Sequence, residues 1–240
     1  MVFIHISVIA VLGLLSLGET APLSSCDSLI QPLEIRGPEQ LLGKWMRVAV
    51  SSDHEEAELL QAFQDSYWMR LTADNESDVI SVMGALKGFG LCFTLTTRLT
   101  LVNNTLQQYF FVPGNVTLLK TECSDCLLLQ TQNYIMGKTY DNLILMSKRQ
   151  TVTAAEMEEL QKQADCLNLI RPFSLSFDRG QCPEPESPGA DVIDMTPLFS
   201  GDTDVRPNII EKILNATGGL DNFLKRVTDA TQRLQRNDQK

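Results

Sequence analysis

The chain has 240 residues, with 20 Lys and Arg against 30 Asp and Glu, a net charge of −10 and a pI of about 4.7. That balance excludes nucleic acid as a partner, because binding a phosphate backbone needs a basic face. The length fits one mid-sized domain with an appendage, or two small domains. Hydrophobic residues make up 43 % of the chain, so a real core can be buried.

Residues 2–17 are almost unbroken apolar sequence, too short for a comfortable membrane span and shaped like a secretory leader. Ser16 and Gly18 offer a cleavage site after Gly18, which makes 1–18 a signal peptide; cleavage after Ala21 would put Pro22 beyond the scissile bond. The segment before the apolar run carries only His5 and no Lys or Arg, so an uncleaved anchor is the alternative. Cleavage leaves no transmembrane span and an extracellular, plasma-type protein. The six cysteines, Cys26, Cys92, Cys123, Cys126, Cys166 and Cys182, then read as a disulfide set whose connectivity the count leaves open. Four Asn-x-Ser/Thr sequons, at Asn75, Asn103, Asn115 and Asn215, are expected to carry glycans and therefore to face solvent.

From Leu41 onward short strand-like runs follow one another: 45–50, 66–72, 79–83, 91–102, 106–112, 116–121, 127–132 and 142–147, with turn residues between several of them. Segment 91–102 alternates, with Phe93, Leu95, Thr97, Leu99 and Leu101 on one face. Many short strands with tight turns predict an antiparallel barrel or sandwich. A helix follows, because Thr153 and Glu156 form a capping box ahead of the apolar stripe Met157, Leu160, Ala164. One more extended run, 173–177, leads to Cys182. Segment 183–206 is acidic and Pro-containing and reads as a linker. Residues 207–240 read as an amphipathic helical tail with a break at Gly218-Gly219, packed on the barrel or held on a lipid or partner surface.

Gly43-Lys44-Trp45 opens the first strand; the glycine lets the chain turn sharply, and the indole is large enough to close one end of a barrel. Thr139-Tyr140-Asp141 and Arg149 follow in order, then the helix and a last strand. Together these resemble the lipocalin motifs, Thr139-Tyr140-Asp141 in a permuted form. The resemblance covers about Cys26 to Cys182 and implies an eight-stranded antiparallel up-and-down barrel over 19–182 with one C-terminal α-helix. It also implies that Arg149 packs across Trp45. Ala164-Asp165-Cys166-Leu167 and Cys182-Pro183-Glu184-Pro185 are similar to the end of orosomucoid and apolipoprotein M, and Cys123-Ser124-Asp125-Cys126 to the saxitoxin- and tetrodotoxin-binding proteins of puffer fish. That branch implies the pairs Cys26–Cys166 and Cys92–Cys182, which leaves Cys123 for Cys126.

Catalysis is hard to build from these residues. Outside the leader the sole histidine is His54, in the acidic run 53–58, and a thiol nucleophile would need an unpaired cysteine. A C-x-x-C between strands, with no second pair, suits neither a redox centre nor zinc. No enzyme activity, cofactor or metal is expected. The resemblance implies instead a monomeric carrier of a small hydrophobic or amphipathic molecule, such as a lipid, fatty acid, drug or toxin, bound in the barrel. Two alternatives stand beside it: a lipoprotein-associated sphingolipid binder, and a non-carrier immunomodulatory glycoprotein. Alignment on Cys92 and Cys166 nominates Trp68, Arg70, Leu99, Gln108, Phe110, Ile144 and Met146 as ligand-binding residues. An inward Arg70 would favour an anionic head group, whereas a cationic guanidinium ligand would want Asp141 or Glu122.

Overall fold

The computed structural model describes residues 25–54, 64–108, 114–135, 137–175, 177–184, 192–199 and 205–237. The expected leader, most of the acidic run 53–58, and Phe110 lie outside the described residues.

After a one-turn helix α1 (Cys26–Leu29), eight antiparallel strands follow: β1 (Gly43–Ser52), β2 (Gln64–Ala73), β3 (Val79–Gly88), β4 (Leu91–Val102), β5 (Thr105–Gln108), β6 (Gly114–Leu119), β7 (Cys126–Ile135) and β8 (Lys138–Ser147). Each pairs with its sequence neighbours and β8 returns to β1, so the sheet closes into an up-and-down barrel. Closure leaves the eight strands without a free edge pair. The lead-in crosses one end as a floor. Leu33 N–H donates to the Leu118 carbonyl at 2.7 Å, and Asn104 holds the backbone of Leu33 and Ile35. Gly43 then turns into β1 at φ +116°, a conformation that a side chain would strain. Trp45 lies just above this floor, 4 % exposed, its indole N–H given to the Leu41 carbonyl at 2.8 Å.

Period-2 alternation sorts the strands into two apolar layers. Inside the barrel, Trp45, Met69, Leu71, Val82, Leu99, Leu118 and Met146 pack together. Outside, Met46, Trp68, Ala85, Leu128, Leu143 and Leu145 form one buried layer with Leu160 and Ala164 of α2 (Ala154–Cys166). The helix starts on the expected box: Glu156 N–H donates to Thr153 Oγ1 at 3.2 Å, and Thr153 N–H to Glu156 Oε2 at 2.7 Å. A bulge at Val48 inserts one residue into β1, so Arg47 pairs with Met146 and Ala49 with Leu145. Trp45 and Arg47 therefore face inward on the odd phase, and Val50, opposite Ile144, faces inward on the even one.

Three disulfides join Cys26 to Cys166, Cys92 to Cys182 and Cys123 to Cys126. Within the expected run 173–177, β9 (Phe173–Ser174) pairs with β1 and the Leu175 N–H donates to the Val48 carbonyl at 2.9 Å, while residue 176 lies outside the described residues. The acidic segment is more than a linker. Its strand β10 (Val192–Asp194) pairs in parallel with Cys92–Thr94 of β4, beside the Cys92–Cys182 bridge that brings the chain there. Two helices follow, α3 (Val205–Thr217) and α4 (Leu220–Asn237), separated by Gly218 and Gly219, both at positive φ. They are tied to the barrel through Ile209, buried against Leu91 and Ile193, and through Arg226, which donates to the Phe89 carbonyl at 2.8 Å. No helix among the described residues is long and apolar enough to cross a membrane.

Candidate functional site

The barrel encloses a cavity of about 550 Å³, within the range of ligand-carrying sites. Its wall follows the inward parity of each strand. Tyr67, Met69 and Leu71 come from β2, Gly84 and Leu86 from β3, Phe93, Leu95, Thr97 and Leu99 from β4, and Leu127 and Leu129 from β7. Met195, just beyond β10, completes the wall, so the C-terminal segment contributes to the site. Gly84 is needed here because a Cβ would stand 2.8 Å from the Tyr67 hydroxyl.

Among the described residues, one charge lines this apolar space. Arg47 of β1 gives an N–H to Gln64 Oε1, and its guanidinium carbon lies 4.7 Å from the centre of the Tyr67 ring. Burial lowers Arg47 to about 10, partly offset by Tyr67, so it stays a cation at neutral pH. Burial likewise raises Tyr67, which keeps its hydroxyl proton. Among the described residues, no Asp or Glu lines the cavity.

Of the nominated ligand-binding residues, Leu99, Gln108, Ile144 and Met146 line the cavity, and Phe110 lies outside the described residues. Trp68 and Arg70 need correction: both sit on the outer face of β2. Trp68 is fully buried in the outer layer, its indole N–H donating to the Cys182 carbonyl at 3.0 Å. Arg70 meets Glu184 at 2.6 Å, and Glu184 also takes Lys44 at 2.7 Å. The alignment on Cys92 and Cys166 nominates the outward phase of β2, a strand covered on both faces, by the cavity wall on one and by the chain around Cys182 on the other. Asp141 and Glu122 are not in the wall. Asp141 accepts from Gln132 at 3.0 Å on the outer face of β8, and Glu122 N–H donates to Glu159 at 3.0 Å.

The motif residues also divide. Gly43 and Trp45 form the floor. Thr139-Tyr140-Asp141 lies at the far end, where β8 leaves the β7–β8 turn, and pairs with Gln132–Tyr134 instead of approaching Trp45. Arg149 does not pack on Trp45; Lys148 does, its Nζ 4.9 Å from the ring centre. The even residues of β8 face inward, so Lys148 continues the Ile144–Met146 phase beneath the barrel and Arg149 falls outside. There it meets Asp125 at 2.7 Å and Glu156 at 2.6 Å. These two carboxylates lie together with the bridged Cys123 and Cys126, and Arg149 is shared between both acids. The sequon residues Asn75, Asn103, Asn115 and Asn215 are all exposed.

An eight-stranded barrel with an internal apolar cavity and one helix against its outer face defines the lipocalin fold. No family profile and no curated protein matches the chain. Solved structures do. The siderocalin Ex-FABP, whose description is that it functions through dual ligand specificities, is 17 % identical with TM-score 0.54, covering 60 % of this chain and 99 % of its own. Lipocalin 12 from rat epididymis is 11 % identical with TM-score 0.54, over 62 % of this chain and 90 % of its own. A bovine lipocalin allergen is 17 % identical with TM-score 0.51, over 61 % and 99 %.

Proposed function

We propose that this chain is a secreted, N-glycosylated, monomeric member of the lipocalin family that carries a small hydrophobic or amphipathic molecule and performs no chemistry on it. The observation that carries this reading is the unfilled apolar cavity, in a barrel otherwise packed on both sides of its wall. A ligand that loses about 300 Å² of apolar surface there gains roughly 7 kcal/mol before entropic costs. The disulfide pairs Cys26–Cys166 and Cys92–Cys182 support the orosomucoid and apolipoprotein M branch, and Cys123–Cys126 the toxin-binding one. Residues 1–18 act as the signal peptide, 19–182 as the carrier domain, and the rest as a tail that the carrier uses as wall and cover.

The test is a native mass spectrum of the protein secreted from eukaryotic cells and deglycosylated without denaturation. A mass beginning at Glu19, no alkylated cysteine and a dissociable lipid-sized adduct are expected. No adduct, together with no change in tryptophan emission across a fatty-acid, sphingolipid and alkaloid panel, overturns the carrier reading in favour of a non-carrier glycoprotein. The exposed Ile210, Leu220 and Leu224 on α3 and α4 favour a second reading, attachment to lipoprotein particles. Co-flotation with those particles, absent after truncation at 204, decides it.

A further inference from the structure

We propose that the cavity selects an anionic amphiphile, a single apolar chain ending in an oxyanion, and that Arg47 binds its head. This rests on the carrier reading and names its ligand class. Arg47 is a cation inside an apolar wall whose only described partners are a neutral amide, Gln64, and the face of Tyr67. Five other cations have carboxylates: Lys44 and Arg70 share Glu184, Arg149 holds Asp125 and Glu156, Arg179 meets Asp65 and Arg98 meets Asp74. An internal cation without a counter-charge costs several kcal/mol, so a bound anion recovers that cost as affinity.

Unmatched hydrogen-bond donors point the same way. Among the described residues, two buried side-chain polar atoms have no partner, Arg47 Nε and Thr97 Oγ1, and both residues line this cavity. The hydroxyl of Tyr67, beside Arg47, is a third donor facing the same space. Arg47 and Tyr67 hold their protons at neutral pH, because Arg47 falls only to about 10 and Tyr67 is raised. A cationic ligand would be repelled. A neutral one leaves the charge uncompensated. A carboxylate or phosphate accepts from Arg47, beside Tyr67, and fills the charge deficit, with its chain against Met69, Leu95 and Leu99.

The experiment measures affinities of the delipidated, full secreted chain for palmitate, dodecyl phosphate and methyl palmitate, in the wild type and in Arg47→Gln and Arg47→Lys. Palmitate or dodecyl phosphate is expected to bind the wild type about tenfold to a hundredfold more tightly than the ester, the value of a charge-assisted hydrogen bond. The preferred anion separates a carboxylate from a phosphate source. Arg47→Gln should remove the preference while still binding the ester, and Arg47→Lys should restore part of it. Equal affinity of the wild type for anions and ester overturns the proposal, as does a preference that survives in Arg47→Gln. Should Arg47→Gln not fold, the wild-type ratio alone decides. Failure of all three probes to bind also overturns the proposal, and only together with the absence of any adduct in the native mass spectrum and of any response to the wider panel does it defeat the carrier reading itself.

Discussion

The two faces of strand β2, one residue out of phase, carry opposite designs. Outward, Trp68 is sealed beneath the chain at Cys182 and Arg70 is neutralised by Glu184. Inward, Tyr67, Met69 and Leu71 border an unfilled space, and the nearest cation, Arg47, has no described carboxylate. The outer face spends its side chains on stability and satisfies every charge locally. The inner face leaves volume, hydrogen-bond donors and one charge unsatisfied. That combination is poor for stability and suited to a ligand.

The sharpest way to break this comparison is to truncate neighbouring residues that face opposite ways. Trp68→Ala should cost about 3–5 kcal/mol in urea unfolding, because a fully buried indole leaves a hole in a packed layer. Met69→Ala should cost about 2 kcal/mol or less, because its side chain already borders empty space, and should weaken ligand binding instead. Equal losses at the two sites would mean that the cavity is packed in solution. Next comes charge removal. Arg47→Met should stabilise the ligand-free protein by about 1–2 kcal/mol, because a desolvated cation with no carboxylate among the described residues is replaced by an apolar side chain of similar length. Arg70→Met should change stability by less than about 1 kcal/mol, since Glu184 keeps Lys44. Calorimetric Tm values of both variants check the contrast, and destabilisation by Arg47→Met would show that Arg47 is a structural cation.

Much of the barrel was legible in the residues. Alternation in 91–102 places Phe93, Leu95, Thr97 and Leu99 on one face, and that face is the cavity wall. Thr153 and Glu156 announce α2 for a local reason, two backbone N–H groups satisfied by two side chains. What failed to show was phase on strands buried on both sides, where β2 offers an apolar series either way. Arg47 carries a usable signal in the sequence: once Trp45 is placed at the floor, a residue two positions on must face inward as well. The bulge at Val48 has no Gly or Pro to mark it. β10 was hidden because three residues amid acidic, Pro-containing chain have no periodicity, and their pairing depends on a disulfide partner 90 residues away.

Acid should sharpen the comparison further, because the described carboxylates occupy only one of the two regions. Asp125 and Glu156 are held below the usual carboxylate range chiefly by hydrogen bonds from Arg149, and Glu184 chiefly by Lys44, with Arg70 adding to it. With the folded pKa depressed, the unfolded chain binds more protons over this interval, so these groups stabilise fully above about pH 4.5. Their contribution is lost as pH falls through the folded values. The urea midpoint should therefore fall between about pH 5 and pH 3, less steeply in Arg149→Gln. Affinity for methyl palmitate should stay level over the part of that range where the protein remains folded. A parallel fall in ester affinity would place a carboxylate in the cavity after all.

The smallest effect expected separates Lys148 from Arg149. Lys148 Nζ lies over the Trp45 ring at 4.9 Å but its side chain is exposed, so Lys148→Ala should cost only about 0.5–1 kcal/mol. Its better readout is spectroscopic: in a Trp68→Phe background Trp45 is the sole indole, and removing the cation beneath it should shift its emission. Arg149→Ala should leave that emission unchanged while loosening the start of α2, because its partners are Asp125 and Glu156 on the outside of the barrel. The opposite result, an emission shift with Arg149→Ala and none with Lys148→Ala, would return the arginine to the tryptophan and displace the phase of β8 by one residue. The inward side chains Ile144 and Met146 would then leave the cavity wall, and the wall assigned to β8 would fail with them.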